Sequence, residues 1–215
     1  HEESPWACFG RYAAGYLSYW SGDAEVAYEQ LAVAADTLPE HDGSYRARAL
    51  IYLGGIADDL DRGSDAIGYV RRAIDAAEAH GVDLQVSAAM GMGCVLAERA
   101  DPAAADFAAE AIALCRAEGS AEQLAAAMPT AAMVCWQAGD VDRARAFVDE
   151  ARPMHSGGRR IARVVLLSAA AAVALADGDV AAAVDYGRSA DAEATELGVE
   201  REVPLIRTVL ARALL

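Results

Sequence analysis

The sequence predicts an all-α fold: a right-handed solenoid of about five helix-turn-helix repeats followed by a terminal helix. Three observations carry this reading. Alanine, the best helix former, supplies 53 of the 215 residues. Apolar residues recur with helical spacing and do not alternate as in strands. Turn signals return at near-equal intervals, at Ser21-Gly22-Asp23, Asp61-Arg62-Gly63, Arg99-Ala100-Asp101, Ala138-Gly139-Asp140 and Asp177-Gly178-Asp179. After each turn comes a small residue (Ala27, Ala66, Ala104, Ala144, Ala183) and, seven positions on, another (Ala34, Ala73, Ala111, Ala151, Ala190). Both series step by 39, 38, 40 and 39 residues. A period of this size marks stacked supersecondary units.

The elements follow in order. The first helices of the pairs span about 5–20, 44–60, 83–99, 121–138 and 159–176. The second helices span about 24–37, 64–79, 102–117, 141–152 and 180–197, and a last helix spans about 202–215. Ser4-Pro5 and Asp101-Pro102 place a capping side chain before proline at the first helical position, where a missing N–H costs nothing. Gly81, Gly119 and Gly198 follow second helices, where a left-handed residue is expected. Pro39 and Pro153 fall at or past second-helix ends, whereas Pro129 falls inside a first helix and is expected to kink or split it.

Composition narrows the function. The chain has no lysine, so it carries no P-loop lysine, kinase β3 lysine or Schiff-base lysine. A net charge of −15 argues against direct contact with nucleic acid or an anionic membrane surface. The longest apolar run, Val164 to Ala176, is too short to span a bilayer. Cys8, Cys94, Cys115 and Cys135 have no CxxC spacing and read as reduced core residues in a cytoplasmic chain. His1, His41, His80 and His155 pair with nothing at metal spacing, and no GxSxG or HExxH is present. The expectation is therefore no cofactor, no metal and no catalytic group. The start at His1 and the uncapped Ala211–Leu215 end read as those of one repeat domain, 1–215, taken from a longer protein.

Counting back twelve from the first alanine of each unit gives Gly15, Gly54, Met92, Ala132 and Ala171. With the two alanine series, these residues resemble the signature of the tetratricopeptide repeat, which has a small residue in the first helix and alanines near positions 20 and 27. Met92 departs from it, and the period of about 39 exceeds the usual ~34. Together with Ser4-Pro5-Trp6 and Tyr19-Trp20-Ser21-Gly22-Asp23, the longer period is similar to the sensor region of large LuxR-type regulators of the maltose-activator kind and to the C-terminal repeats of antibiotic-regulatory activators. That resemblance implies a non-catalytic segment that senses an inducer or a partner, with nucleotide- and DNA-binding modules elsewhere.

In such solenoids the first helix of each pair lines the concave side. The register places Phe9, Tyr12, Tyr16 and Tyr19 inward in the first unit and Arg48, Ile51 and Asp58 in the second. Met133 and Trp136 face inward in the fourth, Val165 and Ser168 in the fifth. With Trp6, Trp20 and Tyr28, the N-terminal aromatics either form a pocket for a peptide or small molecule or pack over the first unit and a preceding repeat. Phe9, Tyr12, Tyr16, Tyr19, Arg48, Met133 and Trp136 are the candidate contacts for a protein or peptide partner or a small-molecule inducer. Asp58, Asp59 and Asp61 read as a solvated helix end. Arg159, Arg160 and Arg163 form a basic cluster at a helix start, either solvated or able to bind phosphate or an acidic peptide. Met90 and Met92 read as core filling. The last helix, with Val203, Leu205, Ile206, Val209, Leu210, Leu214 and Leu215, needs cover, and self-association through it is the second reading.

Overall fold

The computed structural model describes residues 6–39, 43–78, 80–155, 160–199 and 203–214. Among them are eleven α-helices and no strand: α1 (Ala7–Trp20), α2 (Ala24–Thr37), α3 (Gly43–Asp59), α4 (Gly63–Glu78), α5 (Val82–Ala97), α6 (Ala103–Glu118), α7 (Ala121–Gln137), α8 (Val141–Ala151), α9 (Arg160–Ala176), α10 (Val180–Leu197) and α11 (Val203–Leu214). A 3-10 turn, Arg152–His155, follows α8. Ser4-Pro5, Arg159, His1, His41 and Leu215 lie outside the described residues.

Each pair is joined by one recurrent turn. A left-handed residue sits at positions 22, 61, 100, 139 and 178, a constant step of 39. The next amide reaches back five residues: Asp23 to the Ser18 carbonyl, Arg62 to Ala57, Asp101 to Leu96, Asp140 to Cys135 and Asp179 to Ala174, at 2.7–3.0 Å. This closes the first helix by satisfying a free carbonyl. The aspartate then opens the second helix. Asp23, Asp140 and Asp179 accept from the amides of Val26, Arg143 and Ala182, and Asp101 accepts from Ala103. The second turn differs from its sequence reading. Its left-handed residue is Asp61, while Gly63 already belongs to α4. Gly81, Gly119 and Gly198 are left-handed, as their positions after second helices predict.

The chain forms two compact units, 1–95 and 96–215. In the first, α1 packs on α2, α2 on α3, α3 on α4, and α1 on α3. Its core joins Ala27, Leu31, Ala47, Leu50, Leu53, Ile56, Ala73 and Leu84. In the second, α6 packs on α7, α7 on α8 and α9, and α11 on α9 and α10. All ten alanines of the two series are fully buried. Close approach is what they and their partner glycines allow: a Cβ on Gly15 would lie 2.6 Å from Leu31 Cγ, and one on Gly54 2.3 Å from Val70 Cγ2.

Of the expected kink or split at Pro129, the split does not occur: α7 runs unbroken through the proline, which is buried in mid-helix. The apolar face of α11 is covered by the chain itself. Val203, Ile206 and Val209 are buried, the first two against Val164, Ala190 and Ala194 and the third against Ala171 and Ala172, while Leu214 stays exposed. For Val203, Ile206 and Val209 the motive for self-association through α11 is thereby removed.

Candidate functional site

The aromatic residues of α1 meet a second set on α3. Phe9, Tyr12, Tyr16 and Tyr19 fall at i, i+3, i+7 and i+10, one edge of a helix. Tyr45 and Tyr52 are two turns apart on α3. Tyr45 meets Phe9 and Tyr12 edge-on with ring centroids at 5.4 and 5.3 Å. Tyr52 meets Tyr16 at 5.3 Å and Tyr19 at 5.0 Å. Trp6 extends the row beside Phe9, and Trp20 closes it beside Tyr16 and Tyr19. Edge-to-face pairs of this kind each add about 0.5–1.5 kcal/mol beyond area burial.

The row is part core and part surface. Tyr12, Tyr19 and Tyr52 pack against the core of the first unit, whereas Tyr16 and Tyr45 keep 36% and 42% of their surface open. Arg48, half-buried, lies between Tyr45 and Tyr52 in the α3 sequence and makes no ion pair among the described residues. Burial pushes the Tyr12 and Tyr52 phenols up, and the Arg48 charge opposes that rise. No carboxylate occurs in α1 or in residues 43–57, which carry Arg11, Arg46 and Arg48. Two of those arginines have other work: Arg11 donates to Gln30, and Arg46 donates to the Leu38 carbonyl at 2.6 Å. The row is thus aromatic and without carboxylates, and its α3 side carries the cationic Arg48 between Tyr45 and Tyr52.

The remaining candidates fall elsewhere. Met133 and Trp136 belong to α7 in the second unit. Met133 is buried, and Trp136 is half-buried against Ala171, Ala172 and Val209. Met133 holds the register position of Tyr16, but α7 is packed by α6, α8 and α9, whereas the main packing partners of α1 among the described residues are α2 and α3. Ser168 is buried, its hydroxyl donating to the Val164 carbonyl. Arg160 and Arg163 pair with Glu196 and Glu193 at 2.6 and 3.0 Å, so these cations are already engaged. None of the four cysteines forms a disulfide. Burial pushes the Cys135 thiol up to about 12. No helix among the described residues is long and apolar enough to cross a membrane.

Sequence reasoning missed Tyr45 and Tyr52. The signal was present, since both flank Arg48 at helical spacing. They lie on the edge of α3 that faces α1, where the register of concave positions does not look.

No protein-family model matches this sequence, and no curated protein matches it either. Solved structures do share its fold. A Rap protein complexed with Competence and Sporulation Factor aligns over 96% of this chain with a TM-score of 0.72 at 15% identity. This chain spans 62% of the length of that Rap chain. The apo form of RapI aligns over 99% of this chain and 84% of its own, with a TM-score of 0.61 at 12% identity. A kinesin light chain from Podosopora anserina with nearly identical TPR-like repeats covers 91% of this chain and 98% of its own, with a TM-score of 0.62 at 12% identity. The fold is that of TPR-like repeat proteins.

Proposed function

We propose that this chain is the non-catalytic sensing module of a cytoplasmic bacterial transcriptional regulator of the LuxR type, and that it holds a peptide or small inducer on the α1–α3 aromatic surface. One observation carries the reading. Six aromatic side chains from two helices meet in one row, and α3 carries the half-buried Arg48 between Tyr45 and Tyr52, in a stretch without carboxylates inside a chain of charge −15. A Rap protein of the same fold is seen complexed with Competence and Sporulation Factor, which supports a fold of this type holding a factor. Binding switches a regulator only when the factor prefers one of its two states.

The test is a screen of peptides and anionic aromatic metabolites against the intact chain, read by tryptophan emission from Trp6 and Trp20. A binder weakened roughly tenfold by Tyr45→Ala and by Arg48→Ala, as expected for a lost aromatic anchor or charged partner, fits the proposal. A screen without binders, or binders indifferent to both substitutions, sinks it.

A further inference from the structure

Within the first unit, the pairs α1–α2 and α3–α4 are each locked internally. A Cβ on Gly15 of α1 would lie 2.6 Å from Leu31 Cγ of α2, and one on Gly54 of α3 would lie 2.3 Å from Val70 Cγ2 of α4. Helices this close cannot part without losing many dispersion contacts at once. Each pair therefore moves as one body.

Between the two pairs the contacts differ by layer. In the middle α2 packs on α3, where Ala27, Leu31, Ala47, Leu50 and Leu53 share one buried core. In the layer of first helices the contact is made by rings, Tyr45 and Tyr52 of α3 against Phe9, Tyr12, Tyr16 and Tyr19 of α1. In the layer of second helices it is made by a phenol pair. The Tyr28 hydroxyl of α2 lies 2.8 Å from the Tyr69 hydroxyl of α4, and the rings meet edge-on with centroids 6.2 Å apart. Arg62, at the entry to α4, crosses the same seam with its guanidinium 4.6 Å from the centre of the Tyr28 ring. Tyr12, Tyr19 and Tyr52 from one layer and Tyr28 and Tyr69 from the other pack against the same core.

A close-packed core resists compression. Ring edges tolerate a range of offsets and angles, and one hydrogen bond between phenols is worth little after its exchange with water. Relative motion of the two pairs is therefore a rocking on the α2–α3 contact, in which widening one outer layer narrows the other. We infer that the Tyr28–Tyr69 bond, with Arg62 across the same seam, is a latch that sets how far the α1–α3 aromatic row stands open. With the bond made, the row keeps the ring spacings described above. With it released, α2 and α4 spread and the row is pressed shut. The control this gives over a ligand on the row rests on the function proposed above, since a ligand switches the chain only when it prefers one of the two states. The rocking itself does not rest on it and is tested on the chain alone.

The intact chain is labelled with 5-fluorotryptophan and followed by fluorine NMR. Trp20 sits against Tyr16 and Tyr19 and reports on the row, while Trp136 belongs to the second unit. Tyr28→Phe and Tyr69→Phe delete the same bond from opposite pairs and keep both rings. Both should move the Trp20 signal in the same direction and leave that of Trp136 in place. Tyr186→Phe, in the second unit, should leave Trp20 in place. A double-mutant cycle in urea supplies a second readout. Tyr69 and Tyr16 belong to different pairs and share no ring partner among the described residues. Tyr69→Phe and Tyr16→Leu should nevertheless be coupled by more than about twofold in the folding constant, where independent sites are additive within that factor. The inference is overturned by a Trp20 signal that stays put in both latch variants, by one that moves in Tyr28→Phe alone, or by an additive cycle. Neither readout involves a ligand, so a failed latch and a failed ligand screen are told apart.

Discussion

At the scale of single residues, backbone handedness and local space decide the sign of a substitution. Ala100 occupies the left-handed position of its turn at φ 51°, where three of the other four turns have glycine. A Cβ there costs about 1 kcal/mol. Ala100→Gly is therefore expected to stabilise the chain by about 0.5–1 kcal/mol in urea denaturation. Gly54→Ala should go the other way. The added methyl would meet the buried, β-branched Val70 at 2.3 Å, an overpacking cost of about 1–3 kcal/mol only partly offset by the better helix propensity of alanine. Gly68→Ala in α4, where nothing lies within 4 Å of the new methyl, keeps the propensity gain alone and should stabilise by up to about 1 kcal/mol. Cys135 adds a pH dependence. Its thiol is raised by burial from 9.0 to about 12, so the unfolded chain releases this proton first as pH rises. Stability from this group is complete below pH 9 and is lost between 9 and about 12. The urea midpoint should begin to fall above pH 9. In Cys135→Ala the fall should wait until about pH 10, where Tyr69, raised to about 12 by burial and by its hydrogen bond to Tyr28, starts to contribute. An identical onset in both proteins would refute the assignment to Cys135.

At the scale of elements, helix ends were largely legible because they are written in local chemistry. The glycine or its substitute, the aspartate cap and the alanine pair all lie within a few residues of each other, and the boundaries of α2, α7, α9 and α10 fall within a residue or so of their expected places. Asp179 shows what one cap contributes: Asp179→Ala, which leaves the Ala182 amide without its acceptor, should cost about 1 kcal/mol. What could not be read locally was which neighbour covers which face. Met133 and Tyr16 share a register position, yet one is buried and the other open, because that depends on helices far away in sequence. Tyr45 and Tyr52 escaped for the same reason. They serve the contact between two first helices, whereas the reading by concave position singled out Arg48, Ile51 and Asp58. Pro129 is the converse case: a local signal for a kink or a split does not end a helix whose central residues, Met128 to Cys135, are almost all buried.

At the scale of the whole molecule, charge is the main adjustable force. Thirty-three acidic residues face eighteen arginines. Ion pairs such as Arg116–Glu150, Arg143–Asp106 and Arg207–Asp191 are exposed, and pairs of that kind contribute about 0–1 kcal/mol each. Repulsion among the surplus carboxylates should outweigh them. Raising salt from 0.01 to 0.15 M shortens the screening length from about 30 to about 8 Å. The melting temperature is expected to rise by a few degrees over that range in a thermal scan; a fall would mean that the ion pairs dominate. The fold class itself was legible from the alanine period, since a buried alanine contributes little area and is useful only where helices approach closely.

The left-handed residues at 22, 61, 100, 139 and 178 keep a constant count, while the joins between one pair and the next are uneven: α6 ends at 118 and α7 begins at 121, yet α8 ends at 151 and α9 begins at 160. Length is therefore absorbed at one kind of join and forbidden at the other. Deleting one residue between an alanine and its turn would rotate the rest of that helix by about 100° and carry its small residues off the contact line. The same deletion in the join after a second helix need only shorten a loop. For anyone who wishes to splice, tag or extend this protein, the turns act as a ruler and the joins after the second helices are where the chain can be cut.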